Sequence, residues 1–351
     1  MNTLIIPCAG KSSRFPNMKP KYVLTHPDGK LMVEKSIEKM NLSVFDRIII
    51  TIVKAHDEKY DIKLILDQVF KDNKKVEICV LDDFTSSASE TIYLTIKKMG
   101  ITGSVVVKDS DNCVGVNFDN NIKNMIVGYN LHEHKDISNI PGKSFLIINE
   151  QNIIQDIVEK KIVSPIICLG VYCFNDVYDF IKAYQDIVSS QINGEMYISH
   201  VISYLISNGC IFEAVMATAY NDWGTLKEWS EEQEKYKTYF IDVDGVIMKN
   251  SGKYGKVNWS NNCEYLDDNV ATIKKLQENG GQIIITTSRT EEFRASLEKL
   301  LNDVGIKPHA IVMGLNHAQR VIINDFATTN PYPSCSAISL PRNQNINDYL
   351  K

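Results

Sequence analysis

The chain lacks any apolar run long enough to cross a bilayer, and its first residues lack the charged, apolar and small-residue order of a secretory signal, because the run Leu4–Ile6 is far too short. A cytoplasmic protein with no membrane partner is therefore expected. Also missing are a CxxC pair and any histidine at zinc spacing. The eight cysteines (Cys8, Cys79, Cys113, Cys168, Cys173, Cys210, Cys263 and Cys335) and the seven histidines are scattered, with most of the cysteines inside apolar runs. Buried, reduced thiols are expected, with no transition-metal cluster. There is no internal repeat and no low-complexity tract. An excess of positive charge is absent too. At a formal net charge of −5 nothing draws the chain to nucleic acid, so phosphate binding has to be local and the ligand small. Finally, the first turn fits neither the kinase-type loop GxxxxGK(S/T) nor the dinucleotide fingerprint GxGxxG.

What is present is ordinary globular material, 44% hydrophobic and 23% charged over 351 residues, a length suited to two domains. Runs rich in β-branched residues recur at Leu4–Pro7, Arg47–Val53, Val76–Leu81, Ser104–Val107 and Ile166–Phe174, with helix-like stretches between most of them. This alternation predicts an α/β fold on a mainly parallel sheet. A charged segment, Ser230–Lys237, then leads into a new apolar run, so the boundary is drawn between domains 1–233 and 234–351. The second domain is predicted to carry strands at Tyr239–Val243, Gln282–Thr286 and Arg320–Asn324 and helices at Asn269–Asn279 and Glu291–Val304, making a small doubly wound α/β domain. Gly280, Gly281 and Gly305 fall where helix ends call for left-handed backbone.

The most informative stretch is Leu4-Ile5-Ile6-Pro7-Cys8-Ala9-Gly10-Lys11-Ser12-Ser13-Arg14-Phe15-Pro16, followed by Lys19-Pro20-Lys21-Tyr22-Val23-Leu24. A strand runs into a turn of small residues flanked by basic side chains, which can aim backbone N–H groups and positive charge at a polyphosphate. Further on, Phe84-Thr85-Ser86-Ser87-Ala88-Ser89-Glu90-Thr91 enters an amphipathic helix, where it also reads as a plain N-cap. Val105-Val106-Val107-Lys108-Asp109-Ser110-Asp111 sets carboxylates just past a buried strand, the place where α/β proteins bind ligands.

These segments resemble the sugar nucleotidyltransferases, the nucleoside-diphosphate-sugar pyrophosphorylases. Their signature is a strand, then (A/G)-A-G-x-(G/S)-(S/T)-R-(F/M/L), then P-K-x-(L/V). The resemblance continues through Leu169-Gly170-Val171-Tyr172, Asn193-Gly194-Glu195-Met196-Tyr197 and Asn221-Asp222-Trp223-Gly224-Thr225, and so spans nearly all of residues 1–229. It implies a Rossmann-like, GT-A-like mixed sheet and a Mg²⁺-dependent transfer of a nucleotidyl group to a phosphorylated small molecule, with release of pyrophosphate. By resemblance, Ala9, Gly10, Lys11, Ser12 and Ser13 wrap the nucleotide, with Thr85, Ser87, Ala88 and Ser89 under its base. Arg14 holds the departing pyrophosphate, and Lys21, with Lys19 as the alternative, neutralises the α-phosphate or the acceptor phosphate. Asp111, with Asp109 as the alternative, and Asp222 hold Mg²⁺. Gly170, Glu195 and Tyr197 line the acceptor pocket. The form Lys19-Pro20-Lys21-Tyr22 is closest to enzymes of capsule or lipopolysaccharide pathways, some of which use CTP, so CTP is the favoured nucleotide and a phosphorylated sugar, polyol or small alcohol the acceptor. A homo-oligomer is compatible with the resemblance.

In the second domain Tyr239-Phe240-Ile241-Asp242-Val243-Asp244-Gly245-Val246 places two carboxylates at the end of a strand, where both reach one phosphate. This resembles the D-x-D-G-(T/V) motif of the haloacid-dehalogenase (HAD) superfamily. The resemblance implies that Asp242 is the nucleophile that forms an aspartyl-phosphate and that Asp244 is the general acid and base. Thr287, in Ile285-Thr286-Thr287-Ser288-Arg289, would bond the phosphoryl group. Asp325, after Val321-Ile322-Ile323-Asn324, would hold Mg²⁺ together with Asp242 and the Asp244 carbonyl. Arg320, chosen over Lys307, would be the basic residue. Roughly forty residues, part of them a helix, separate Asp244 from Thr287, so only a minimal cap is expected and the site should be open. The two activities together imply two steps of one pathway; the alternative is a transferase joined to a catalytically silent HAD-like module.

Overall fold

Valine and isoleucine crowd the strand runs because their branched side chains fit the pleated, buried surface of a sheet better than a helix. A computed structural model describes residues 1–133, 137, 139–190, 195–252, 259, 264–325 and 334–350. The chain divides into two compact units, Met1–Trp229 and Ser230–Lys351.

In the first unit the strands are β1 (Asn2–Pro7), β2 (Arg47–Val53), β3 (Val76–Leu81), β4 (Ser104–Lys108), β5 (Asn112–Gly115), β6 (Met125–Asn130), β7 (Ser144–Ile148), β8 (Ile154–Glu159), β9 (Ile166–Phe174), β10 (Glu213–Met216) and β11 (Ala219–Asp222). The helices are α1 (Met32–Ile37), α2 (Lys54–Tyr60), α3 (Ile62–Val69), α4 (Ala88–Met99), α5 (Val177–Ser189) and α6 (Ile198–Ser207), with α7 (Leu226–Lys235) crossing the division between the units. One large sheet runs β10-β6-β9-β4-β1-β2-β3, with the β7–β8 hairpin attached to β9. It is mixed: β1, β2, β3 and β4 are mutually parallel, whereas β9 is antiparallel to both β4 and β6. β9 is buried along its whole length, as expected of a strand covered on both faces. Two apolar clusters flank the sheet, one including Ile5, Val107 and Ile92, the other Leu4, Val106 and Ile50.

The topology creates the site. From β1 the chain adds β2 and then β3 on one side, and returns to add β4 on the other. At such a reversal the loops leaving the two central strands diverge and open a crevice at their carboxyl ends. The segments 8–21 and 109–111 are the loops that leave β1 and β4.

In the second unit β12 (Thr238–Asp242), β13 (Gln282–Thr286) and β14 (Ala310–Val312) form a three-stranded parallel sheet in that order, with α8 (Asp267–Glu278) and α9 (Arg294–Asp303) between them. Two right-handed crossovers that progress in one direction leave both helices on the same face. Ile241, Ile283 and Ile285 accordingly share one core with Val270 and Ile273 of α8 and Leu297, Leu300 and Leu301 of α9. Phe240 and Val312 on the opposite face are 57% and 41% exposed. Two expectations need correction. The run Arg320–Asn324 forms no strand: Val321 and Ile323 are 73% and 93% exposed, and no ladder takes up their backbone. Without that strand on the free side of β12 there is no reversal, so the described residues form a singly wound sheet instead of a doubly wound one. Gly280 and Gly305 do close their helices with positive φ.

The described cysteines are all free; Cys8, Cys79, Cys113, Cys168 and Cys173 are buried, but Cys335 is exposed, contrary to expectation. Cys263 lies outside the described residues. No described helix is long and apolar enough to cross a membrane.

Candidate active site

The loop after β1 is anchored by Phe15, with Met18 packed beside it. Phe15 is buried with Leu24, Met32, Cys113, Trp223 and Trp229. Ser12 takes a left-handed conformation (φ 51°), accepts a bond from the Phe15 N–H at 2.9 Å through its carbonyl, and accepts the Lys21 N–H through its hydroxyl at 3.4 Å. Gly10, Lys11, Ser13 and Arg14 are left exposed on the rim, and Ala9 is buried beneath them. Lys19 is exposed as well, whereas Lys21 turns inward and its ammonium contacts the Asp111 carboxylate.

Asp111 and Asp222 come together across the β5–β11 pairing, in which Asp222 sits opposite Asn112 and the Trp223 N–H bonds the Asp111 carbonyl at 2.8 Å. Gly224 keeps the space before them clear: a Cβ there would lie 3.2 Å from Asp222 Oδ1 and 3.5 Å from Asp111 Oδ2. Each carboxylate has its own lysine, Lys21 on Asp111 and Lys143 on Asp222. Lys143 Nζ also donates to the Tyr220 hydroxyl at 2.9 Å. Burial opposes ionisation of Asp111, but Lys21 and Lys143 overcome it and hold its pKa down at about 2.

Asp109 behaves differently. Its N–H bonds the Gly170 carbonyl at 2.9 Å, and its carboxylate fills the space beside Gly170, where a Cβ would meet Oδ2 at 2.1 Å. Gly170 (φ 68°) therefore makes room for Asp109. Burial, and then the neighbouring Asp111, push the Asp109 pKa up to about 7. A raised carboxyl pKa destabilises the fold: the cost is absent below the ordinary value of 3.8, grows as pH rises, and is fully present above about 7. Asp109→Asn is expected to raise the thermal midpoint at pH 8 by several degrees and to leave it nearly unchanged at pH 4; an equal shift at both would refute the assignment. Lys108, fully buried, donates to the Asp109 and Asn112 carbonyls and to Asn112 Oδ1, which fixes the turn that presents Asp111; burial lowers its pKa to about 8.

Around the base segment, Ser87 is the N-cap of α4 and accepts the Glu90 N–H at 3.2 Å, so the plain-cap reading of this serine holds. Thr85 bonds Thr91 at 2.6 Å, and the Thr85 N–H reaches the Ala9 carbonyl at 3.5 Å, which joins this segment to the first loop. Ala88 packs against the core, and Ser89 is fully buried with its hydroxyl unpartnered, so its side chain turns away from solvent.

On the far side of the crevice, Tyr197 caps α6 and contacts Lys160, whose ammonium lies 4.2 Å over its ring. Glu195 is exposed ahead of the helix. Glu159, at the end of β8, accepts hydroxyl bonds from Ser144 at 2.5 Å and Ser199 at 2.8 Å. Sequence reasoning missed Lys143, Glu159 and Lys160. They lie on a hairpin that carries no turn of small residues, and only its pairing, with Ser144 opposite Glu159, brings them to the site.

In the second unit Asp242 ends β12, and burial raises its pKa. Asp244 is gripped by the fully buried Arg289, Nε to Oδ2 at 3.0 Å and Nη2 to Oδ1 at 2.7 Å. Thr287, also fully buried, follows β13; its N–H bonds the Val312 carbonyl at 2.9 Å and its hydroxyl accepts the Arg289 N–H at 3.1 Å. Arg320 bonds the Ser288 hydroxyl at 3.2 Å, and its charge acts on Asp242. Lys307, whose N–H bonds Gln277 at 2.9 Å, follows α9 and precedes β14, at the opposite end of the sheet from Asp242. Asp325 lies on the exposed segment beyond Arg320, its carbonyl bonded by the Ser334 hydroxyl. Because its strand does not form, nothing seats its carboxylate beside Asp242.

By sequence the chain matches no family model and no curated protein. By structure it is similar to a nucleoside-diphosphate-sugar pyrophosphorylase from Vibrio cholerae RC9, with a TM-score of 0.56 and 22% identity over 66% of this chain and 99% of that one. A Bacillus anthracis glucose-1-phosphate thymidylyltransferase, so described from its crystal structure with a sucrose, gives 0.52 and 17% over 66% and 94%. A UDP-glucose pyrophosphorylase complexed with UDP-glucose gives 0.50 and 13% over 66% and 97%. The likeness establishes a nucleotidyltransferase fold.

Proposed function

We propose that the first unit transfers a nucleotidyl group from a nucleoside triphosphate to a phosphorylated small molecule. The observation that carries this reading is the pair of carboxylates, Asp111 and Asp222, brought together beside Gly224 and each balanced by a lysine, next to a basic loop. In this reading an acceptor phosphate oxygen bonds the α-phosphorus as the bond to the β-phosphate oxygen breaks and pyrophosphate leaves. The backbone of Gly10–Ser13 with Lys11 and Arg14 binds the triphosphate, while Lys21 neutralises the α-phosphate. Glu159, Lys160 and Tyr197 form the acceptor wall. No three described His, Cys, Asp or Glu residues are arranged as a metal cage, but two neighbouring carboxylates, Asp111 and Asp222, supply the oxygen donors that Mg²⁺ favours, with water and phosphate oxygens able to make up the rest. Bound there, Mg²⁺ would neutralise charge on the α-phosphate.

CTP is the nucleotide of choice, on the form of the Lys19–Tyr22 segment, and a sugar, polyol or small-alcohol phosphate destined for a capsule or another cell-surface polymer is the acceptor. The test is pyrophosphate release by the purified full chain with Mg²⁺ and each of CTP, UTP, dTTP, ATP and GTP against a panel of such phosphates. Release with CTP and one acceptor is expected. Release with a different base alone would replace the nucleotide and keep the transferase; silence throughout would overturn it.

For the second unit we propose a HAD-type phosphatase in which Asp242 attacks phosphorus, Asp244 protonates the leaving oxygen, and Thr287 and Arg320 bind the phosphoryl group. Its support is the convergence of Asp242, Asp244, Thr287 and Arg320 at one end of a parallel sheet. A second reading, a phosphate-binding module without turnover, is favoured by the Arg289 fork, because a guanidinium bonded to both Asp244 oxygens occupies the atoms that would have to reach the leaving oxygen. Phosphate release from p-nitrophenyl phosphate is expected to fall at least about a hundredfold in Asp242→Asn, with pyrophosphate release unchanged. Equal rates in both proteins would select the silent module.

A further inference from the structure

Lys143 has a position that the transferase reading leaves unused. Its ammonium contacts Asp222 and lies 2.9 Å from the Tyr220 hydroxyl, with the side chain only 15% exposed. Its charge also acts on Asp111 and Asp109. Its backbone belongs to the other side of the crevice: the Lys143 carbonyl accepts the Lys160 N–H at 3.1 Å, and the next residue, Ser144, bonds Glu159. One lysine thus has its head on the carboxylate pair and its root on the acceptor wall.

Two carboxylates sharing one small, largely buried space repel each other unless cations balance them. Lys21 already serves Asp111, so in the free protein Lys143 on Oδ2 is the cation that balances Asp222, whose Oδ1 accepts the Gly224 N–H at 3.1 Å. An ammonium and a divalent cation cannot occupy the same carboxylate oxygens. When Asp222 is taken up by the ion, Lys143 loses its anionic partner and keeps only the Tyr220 hydroxyl, while its four-carbon stem stays rooted beside Lys160. The nearest anion that the reaction then brings to that wall is the phosphate of the acceptor.

We propose that Lys143 is a catalytic residue of the transferase site: counter-ion of Asp222 in the free protein, and ligand of the acceptor phosphate once a divalent cation holds Asp222. The proposal rests on the transferase reading for its second half only. Lys143 draws the acceptor phosphate toward the α-phosphorus and screens the two phosphates from each other, while the bond made and the bond broken are those already described. It also makes the site self-balancing, since the charge that the ion neutralises is returned as a free ammonium where the second substrate docks.

The test has two arms. In the first, Mn²⁺ is titrated into the full-length protein without nucleotide and free Mn²⁺ is read by electron paramagnetic resonance. Lys143→Met, which removes the competing cation, is expected to bind about tenfold more tightly than the unaltered chain, while Lys143→Arg stays within about twofold. Lys143→Gln, which can still donate to Asp222 and Tyr220, should tighten in the same way and serves if the methionine variant fails to fold. Unchanged affinity in the uncharged variants, or no Mn²⁺ bound by any of them, would overturn the proposal. In the second arm, initial rates with the identified substrate pair should show the acceptor KM raised about tenfold in Lys143→Gln, with the nucleotide KM within about twofold. Equal effects on both substrates would reduce Lys143 to a structural ion pair. A chain that transfers to no acceptor at all refutes the proposed function, and the Mn²⁺ arm then decides the counter-ion role by itself.

Discussion

Asp111→Ala is expected to lower kcat/KM for pyrophosphate release by roughly a thousandfold or more, the scale on which a site loses a group that stabilises transition-state charge. The substitution removes half of the carboxylate pair and leaves Lys21 with no partner at the α-phosphate. Its fold should survive, because the turn around it is held by Lys108 on the Asp109 and Asn112 carbonyls and by the Trp223 N–H on the Asp111 carbonyl, none of which uses the Asp111 side chain. The check is the rate together with the thermal midpoint: a large fall in activity at an unchanged or raised midpoint is the expected pair. Activity within tenfold of the unaltered chain would move the metal away from Asp111. Phosphate release by the second unit in the same protein serves as an internal control, since Asp242 and Asp244 belong to a separate unit.

Gly170→Ala is expected to be strongly destabilising. The new Cβ would stand 2.1 Å from Asp109 Oδ2 and 2.6 Å from its Cγ, and the backbone φ of 68° is one that alanine adopts only with strain. Asp109 cannot easily yield, because its N–H is bonded to Gly170 and its carboxylate is enclosed. A loss of about 3 kcal/mol follows, the backbone term and the overlap adding together. Denaturant unfolding measures it, and Asp109→Ala in the same chain should recover the part due to overlap but not the part due to φ. A cost below about 1 kcal/mol would mean that the turn at Asp109 is looser than the geometry indicates.

The strands were the most legible part of this chain. Arg47–Val53, Val76–Leu81 and Ile166–Phe174 have the same ends as sequence runs and as strands, because a dense β-branched run buried on both sides has no competing helical pattern. The same signal misled at Arg320–Asn324. A run of valine and isoleucine states a preference for a strand but not a partner, and the described residues offer none. In the site, residues attached to local punctuation were readable: the small turn at Gly10–Ser13 and the acids just past β4. The order of Asp111 before Asp109 was harder. It turns on where one carboxylate is enclosed against Gly170, a contact between residues distant in sequence. Lys143, Glu159 and Lys160 gave no local sign at all, since a lysine on a hairpin reads as a solvated face until pairing sets it against Asp222 or Tyr197. Ser87 and Ser89 show the converse: their pattern was seen, yet one hydroxyl is spent on the cap and the other faces inward.

The pairing of β1 with β4, Leu4 against Val106 and Ile5 against Val107, joins stretches about a hundred residues apart, and both arms of the candidate site hang from its end. Contacts of that span close late in folding, because the loop entropy must be overcome before they return any energy. The site is thus hung on the slowest kind of contact the domain makes. Nascent or partly folded chains would hold the helices and the β2–β3 pair well before they hold a crevice, so they would not sequester nucleotide or metal. Ligand binding becomes a reporter of the completed sheet, and the ligand in turn stabilises only molecules that have finished folding.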